Sequence, residues 1–278
     1  MKKLLGLSFI VFLICPGFSW EAKLKESKII RKNLTFTSTS KTQKLEVDNI
    51  FGSIQLKGYG GKEVQAVIKK TISAKDKDNI DLAKDEVELE ISQKNNIISF
   101  YVDGPFRCRR NSSCRKYRVQ YDFEIQVPQN TEVCLRTVNN GDIRVQNLTK
   151  DFSVRNVNGK IYMDGIRGSG DARTVNGKVE VNFTANPRNN CHFRTINGNL
   201  ELFFPSIPSA DFYFKTFNGE IYSDYQVEYL PATAGKGKRK NGKYIYKSNR
   251  FQGVRIGKGG PTIKMDTLNG NILISQKK

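Results

Sequence analysis

Two glutamates are the residues whose types and spacing come closest to a catalytic pair. Glu180 and Glu201 occupy equivalent offsets in neighbouring copies of a repeat described below, so they can meet on one face. Two such carboxylates could cleave a glycosidic bond as a general acid and a base or nucleophile. The residues that follow the repeated glycines mix lysine, aspartate, glutamate and asparagine, and no acidic column emerges. We therefore expect a solvated surface pair and a protein that is not an enzyme.

The sequence gives even less indication of a catalytic nucleophile or of a cofactor-binding loop. His192 is the single histidine, and Cys191 precedes it directly, so on a strand the two side chains point to opposite faces. The segment 257–260, Gly-Lys-Gly-Gly, lacks the strand-loop-helix context and the following Lys-Ser/Thr of a phosphate-binding loop, which favours a turn. We expect no catalytic residue and no cofactor.

Four cysteines follow the first 19 residues. Cys108 and Cys114 enclose a polar loop between apolar runs, and we expect them to form a disulfide in an oxidising compartment. Their spacing does not suit a zinc site, so no metal is expected. Cys134 and Cys191 would lie three coils apart in the stacked architecture argued below, roughly 14 Å. A disulfide needs Cα atoms within about 7 Å, so both should remain thiols in or beside the core.

A basic segment at about 224–264 interrupts the repeats. Residues 235–264 contain no acidic residue, and Tyr244, Tyr246 and Phe251 are interleaved with the cations. Such a segment can hold phosphates or uronates while its rings stack on sugars or bases. The alternative is a solvated hairpin whose tyrosines pack on a strand edge. The candidate polyanion-binding residues are Lys236, Lys238, Arg239, Lys240, Lys243, Lys247 and Arg250.

A repeated Asn-Gly corner organises the chain. Short alternating runs of β-branched and aromatic residues flank each corner, so each unit is a strand, a sharp turn and a second strand. The glycines are spaced by 18, 18, 21, 21 and 51 residues, and 49–56 is a degenerate earlier copy. The corners are Asn140-Gly141, Asn158-Gly159, Asn176-Gly177, Asn197-Gly198, Asn218-Gly219 and Asn269-Gly270.

Two all-β architectures fit these corners. Asn-Gly tolerates positive φ and is a strong hairpin signal, which would give an antiparallel meander. Similar units at near-constant spacing instead favour a parallel β-solenoid in which the asparagines stack as a ladder. Asparagine suits such a ladder because stacked aspartates would repel one another. We prefer the single-stranded, β-helix-like solenoid.

The segments VPQNTEVCLRTVNNGDIRV (127–145) and GKGGPTIKMDTLNGNILI (257–274), with the TVNG-type units between them, resemble the bacterial "putative adhesin" domain of unknown function. The resemblance covers roughly 42–277. It implies an exported or envelope-associated β-solenoid without established catalytic residues. The basic insertion and the Cys108–Cys114 loop depart from the pattern.

The N-terminal half divides into an export signal and a cap. Residues 4–14 form an apolar stretch after two lysines, and small residues at 17 and 19 predict cleavage after Ser19. Lipidation of Cys15 stays open. We assign 20–128 to a β-rich cap with one short helix near 78–89, and 129–278 to the repeats. No later segment has the ~20 apolar residues of a membrane helix.

The formal charge of +19 over 278 residues attracts polyanions. We expect a non-catalytic binding, adhesion or structural module, located in the periplasm, on the outer surface or in the medium. Its partners would be acidic polysaccharide, lipopolysaccharide or another envelope polyanion, with no specific nucleic acid. The alternatives are an accessory sensor of envelope stress and, more distantly, a polysaccharide-active β-helix enzyme. Oligomeric state stays open.

Overall fold

The computed structural model describes residues 24–38, 41–107, 116–231 and 252–277, and the backbone of 238–240 and 243–245. Within them the chain is all-β apart from one α-helix, Lys77–Glu86, and a 3-10 turn at Pro105–Arg107. Two large sheets contain almost all the strands, and a small ribbon pairs Lys238–Lys240 with Lys243–Ile245. The expectation of an all-β fold is confirmed.

The first sheet has ten strands and the second has eleven. In spatial order the first contains β1 (Leu24–Thr35), β4 (Glu63–Ala74), β7 (Tyr117–Pro128), β3 (Ile54–Tyr59), β9 (Ile143–Gln146), β11 (Ile161–Ile166), β13 (Val179–Phe183), β15 (Leu200–Phe204), β23 (Ile272–Gln276) and β17 (Ile221–Ser223). The second contains β18 (Glu228–Tyr229), β21 (Gln252–Ile256), β16 (Ala210–Lys215), β22 (Thr262–Asp266), β14 (Cys191–Arg194), β12 (Gly170–Arg173), β10 (Phe152–Arg155), β8 (Glu132–Arg136), β2 (Lys44–Asp48), β6 (Ile97–Asp103) and β5 (Glu88–Lys94).

Each repeat contributes one strand to each sheet. The strand before a corner lies in the second sheet, the strand after it lies in the first, and neighbouring repeats pair in parallel. Period-two alternation buries one side of the strands inside each sheet, as in β13, where Val179 and Val181 are buried and Glu180 faces outward. The core lies between the sheets, where Phe183 of the first packs edge-on against Phe193 of the second at 6.2 Å between ring centroids. Burial of each large apolar side chain contributes about 1.5–3 kcal/mol.

The first sheet is antiparallel at one end, and the second is antiparallel at both ends. β1, β4 and β7 pair antiparallel in the first sheet, and β5–β6 and β16–β21 do so in the second. The sheets are therefore open and mixed, and a purely parallel solenoid is not what they form. The β5–β6 hairpin turns through Asn95 and Asn96 at φ of 52° and 63°, the left-handed geometry that favours a two-residue hairpin turn.

The repeats do not stack in chain order. The last unit, β22 and β23, lies between the unit of β14 and β15 and the unit of β16 and β17. The predicted sequential stack is wrong at this point. The reason is the insertion, whose β21 covers the free edge of β16 and returns the chain to a place between two earlier units.

The N-terminal strands belong to the same two sheets as the repeats. β2 pairs with β8 and β3 with β9 in parallel, so the degenerate copy 49–56 is a genuine corner unit. The predicted helix is confirmed, but it begins after Asp76, whose side chain accepts from the Asn79 N–H, and Leu89 lies in β5. Ile80 and Ala83 bury its apolar side. None of the described helical residues forms a segment long and apolar enough to cross a membrane.

Candidate anion-binding face

The corner asparagines form a continuous ladder of side-chain amides. From the second rung onward, each Nδ2 donates to the Oδ1 of the neighbouring unit at 2.7–2.8 Å, and the backbones of these corners bridge in parallel from Asn158 to Asn218. This amide ladder runs through Asn139, Asn158, Asn176, Asn197, Asn269 and Asn218.

The first rung corrects a sequence prediction. Asn139, not Asn140, joins the ladder, because the first corner has an extra residue. Asn140 bulges out of line at φ 59°. The extra residue also changes the register of Cys134. Its partner on β10 is Ser153, and the same row continues with Asp171 on β12 and His192 on β14, so Cys134 does not align with Cys191.

The corner glycines are required by close stacking. A Cβ on Gly177 would lie 2.2 Å from the Gly159 carbonyl oxygen, and each of the other corner glycines meets neighbouring backbone within 2.4 Å. The ladder asparagines are not among the residues with positive φ, so the corners are not the hairpin turns that Asn-Gly favours. Buried threonines complete several corners: Thr195 Oγ1 donates to the Gly177 carbonyl at 2.8 Å.

Several predicted sites lie outside the described residues. These are the signal segment, the Cys108–Cys114 loop and the side chains of Lys236, Lys238, Arg239, Lys240, Lys243, Lys247 and Arg250. β22 belongs to the last repeat. Gly257 and Gly259, at φ 63° and 72°, form the turn that precedes it.

Cys134 and Cys191 are free thiols, as predicted. Cys191 lies in the core, where burial raises its pKa to about 11, and Cys134 is partly exposed on the opposite side of its sheet. Three strand spacings separate β8 from β14.

A single lysine bridges the glutamate pair and compensates one of its two negative charges. Glu180 and Glu201 are register partners on β13 and β15, which confirms that they meet on one face. Lys178 Nζ lies 2.7 Å from a carboxylate oxygen of each. Burial lowers the pKa of Lys178, but the two hydrogen bonds outweigh it and raise the pKa above its ordinary value. The arrangement is a closed ion triad rather than an acid/base couple.

A row of four arginines crosses the outer face of the second sheet. Arg136, Arg155, Arg173 and Arg194 are direct register partners on four neighbouring parallel strands. The spacing between neighbouring strands places their backbones about 4.8 Å apart, so the arginine row spans roughly 14 Å across the sheet. Asp48 of β2 precedes the row and Asp266 of β22 follows it.

Nearby carboxylates neutralise only part of the positive charge of the arginine row. Asp48 lies 3.7 Å from Arg136 but 3.1 Å from Arg107, and Asp266 lies 3.5 Å from Arg194. Asp171 contacts Arg173 at 2.9 Å. Arg155 is exposed and forms no ion pair with any residue that the structure describes.

Two further columns flank the arginine row. The apolar column, Val138, Val157, Val175 and Ile196, stands two residues after each arginine and is half-buried. The polar column, Cys134, Ser153, Asp171 and His192, stands two residues before them on the same outer face.

Burial and the charge of Arg173 lower the pKa of His192. Its Nε2 and the Nε of Arg173 lack hydrogen-bond partners within the described structure.

Sequence reasoning missed the arginine row, although its signal was present. The repeat reads Arg-Thr-Val-Asn-Gly in its clearest copy, and the residue before the Thr or Asn is arginine in four units, lysine in one and aspartate in one. An alignment of the units on Asn-Gly alone leaves this earlier position out of view, so the arginines do not stand out as a column.

No known protein family matches the chain, and no curated protein does. Solved structures similar to this chain include a "putative cell adhesion protein" from Clostridium sporogenes, with 15% identity, 92% of this chain and 100% of that chain covered, and a TM-score of 0.41. A "putative adhesin" from Bacteroides fragilis has 12% identity, coverages of 90% and 97%, and a TM-score of 0.39. A "putative lipid binding protein" from Parabacteroides distasonis has 10% identity, coverages of 91% and 97%, and a TM-score of 0.33. The Bacteroides fragilis protein shares the name of the family that the sequence resembles; TM-scores this low carry no argument about fold or function.

Proposed function

We propose that this chain is a non-catalytic binding module of the cell envelope that holds an anionic polymer against the arginine row. The observation that carries the proposal is four arginines in register on adjacent strands, one of them without an acidic partner among the described residues. Like charges directly opposite on neighbouring strands destabilise a sheet. A bound polyanion would relieve that repulsion and accept from the guanidinium groups in bidentate geometry.

In this proposal the repeats act as a solenoid-like stack with a binding face. The strands hold the Cα atoms of the four arginines at equal intervals, and the amide ladder links the neighbouring repeats of the stack. The pairing of Glu180 and Glu201 with Lys178 supports a role without catalysis. Export and envelope location are part of the proposal, which cell fractionation and N-terminal sequencing of the mature protein test.

Binding to immobilised heparin, lipopolysaccharide and an acidic glycan at several salt concentrations tests the arginine row. The change of Arg155 and Arg173 to Gln should weaken binding and reduce the salt slope by about 0.7–0.9 for each arginine that no longer pairs with an acidic group of the polymer. The matched control is Lys57→Gln with Arg144→Gln, which removes two exposed charges from the outer face of the first sheet.

A second variant separates the row from the basic insertion. Lys238, Arg239, Lys240 and Lys243 changed to Ser test the segment predicted from the sequence. Equally weakened binding in the control pair and in the arginine pair would mean that net charge alone drives binding. Weakened binding only in the insertion variant would move the site there and overturn the proposal.

A further inference from the structure

We infer that the ligand is a linear acidic polysaccharide that lies across the strands, with about four consecutive acidic groups on the arginine row. This inference rests on the proposed function and adds the polymer's class, direction and length. The row runs perpendicular to the strands, because its members are register partners rather than neighbours along one strand. A polymer that contacts all four must follow the axis along which the units stack.

The site is bounded at both ends by carboxylates. Asp48 occupies the next register position before Arg136, and Asp266 occupies the next one after Arg194. An acidic group placed over either aspartate would be repelled. Beyond Asp266 the same row continues with Lys215 of β16, so a single carboxylate separates the arginines from a fifth cation.

The flanking columns favour a sugar polymer over a nucleic acid. Ser153, Asp171 and His192 offer a hydroxyl, a carboxylate and an imidazole to the hydroxyls of a sugar, and the apolar column can contact its C–H groups. Single-stranded nucleic acids need aromatic side chains on which bases stack. Over β8, β10, β12 and β14 the arginine row and its two columns contain no aromatic ring other than the His192 imidazole, and the tyrosines of this face, Tyr101 and Tyr213, lie beyond its ends.

Oligogalacturonates of one to eight units, titrated calorimetrically into the full mature chain, test the inference. Affinity should rise about two- to fivefold for each unit added up to four and then level off. Asp266→Asn should move the plateau to about six units, because it joins the arginine row to Lys215. Arg194→Gln should move it down to about three, and Lys57→Gln should leave it at four.

The outcomes separate this inference from the proposed function. An affinity that rises without a plateau, or a plateau that Asp266→Asn leaves unchanged, would overturn the bounded site while leaving a polyanion-binding face. Tighter binding of an oligodeoxythymidylate with equal charge would overturn the choice of polysaccharide. If neither polymer nor heparin responds to the removal of Arg155 and Arg173, the proposed function itself is wrong. Neutral maltooligosaccharides of matched length control for interactions that need no charge.

Discussion

The amide ladder and the arginine row run side by side along the same stack at the same strand spacing, but they differ in whether their hydrogen-bonding groups can satisfy one another. Each ladder amide can both donate and accept, so the rungs satisfy their neighbours and the column is complete within the protein. A guanidinium only donates. A column of four therefore cannot satisfy itself, and the described carboxylates reach it mainly at its ends and beside Arg173. The ladder is satisfied within the fold, whereas the arginine row leaves donors open to solvent and, in our proposal, to an anionic polymer.

The largest expected effect breaks the close approach on which the ladder depends. Gly177→Ala places a Cβ 2.2 Å from the Gly159 carbonyl oxygen, so the stack must separate locally. We expect the free energy of unfolding to fall by more than about 3 kcal/mol. Gly60→Ala is the control, since its Cβ meets no atom within 4 Å. Urea denaturation followed by circular dichroism measures both; a similar small change in the two variants would refute the stacking account.

The next effect introduces a charge into the neutral column. Asn176→Asp removes the amide donor to Asn158 Oδ1 and sets a carboxylate oxygen against that acceptor. We expect the free energy of unfolding to fall by about 1–3 kcal/mol. Asn140→Asp is the matched control outside the ladder, at a left-handed position that aspartate tolerates. Equal destabilisation of the two variants would show that the side-chain ladder contributes nothing.

A smaller effect tests whether the positive charge of the arginine row lowers the pKa of neighbouring His192. His192 faces Asp171, Arg173, Lys264 and Asp266, and burial, together with the charge of Arg173, holds its folded pKa below the ordinary value of about 6.5. The unfolded chain therefore binds this proton at higher pH than the folded one, and stability falls as pH drops below about 6.5.

We expect the wild type to lose stability relative to His192→Gln between about pH 7 and pH 5. Arg173→Gln should raise the His192 pKa, because it removes a positive charge that opposes protonation of the imidazole. NMR titration of the single imidazole measures this directly, and an unmoved pKa in the arginine variant would contradict the prediction.

The smallest effect has the opposite sign. Arg155→Gln removes a cation that has no described acidic partner, so the free energy of unfolding should stay within about 0.5 kcal/mol or rise slightly at low salt. Added salt should remove any gain, since screening weakens the repulsion in the wild type. Destabilisation above about 1 kcal/mol in thermal and urea unfolding would mean that the row serves the fold.

The repeats could be predicted from local residue patterns, whereas the pairing of segments distant in the sequence could not. Alternation predicted the strands from residues within one unit, and the near-constant spacing of similar units predicted the amide ladder and the separation of the two free thiols. The sequence shows the extra asparagine at the first corner, but only the partner unit selects Asn139 rather than Asn140 for the ladder. The antiparallel ends depend on pairings such as β1 with β4, which no local signal specifies. The arginine row becomes visible only when the units are aligned over the strand that precedes the corner.

The place of the last unit in the stack affects how the protein is made. Synthesis reaches residues 262–276 after both units that flank them, yet these residues supply both strands of an interior layer. Asn269 pairs with Asn197, 72 residues earlier, whereas the rungs before it join residues 18–21 apart. Such distant closure slows folding. The layer of β16 and β17 must therefore wait for residues 262–276 before it can join the stack, and loss of these residues would remove an internal layer instead of trimming an end of the stack.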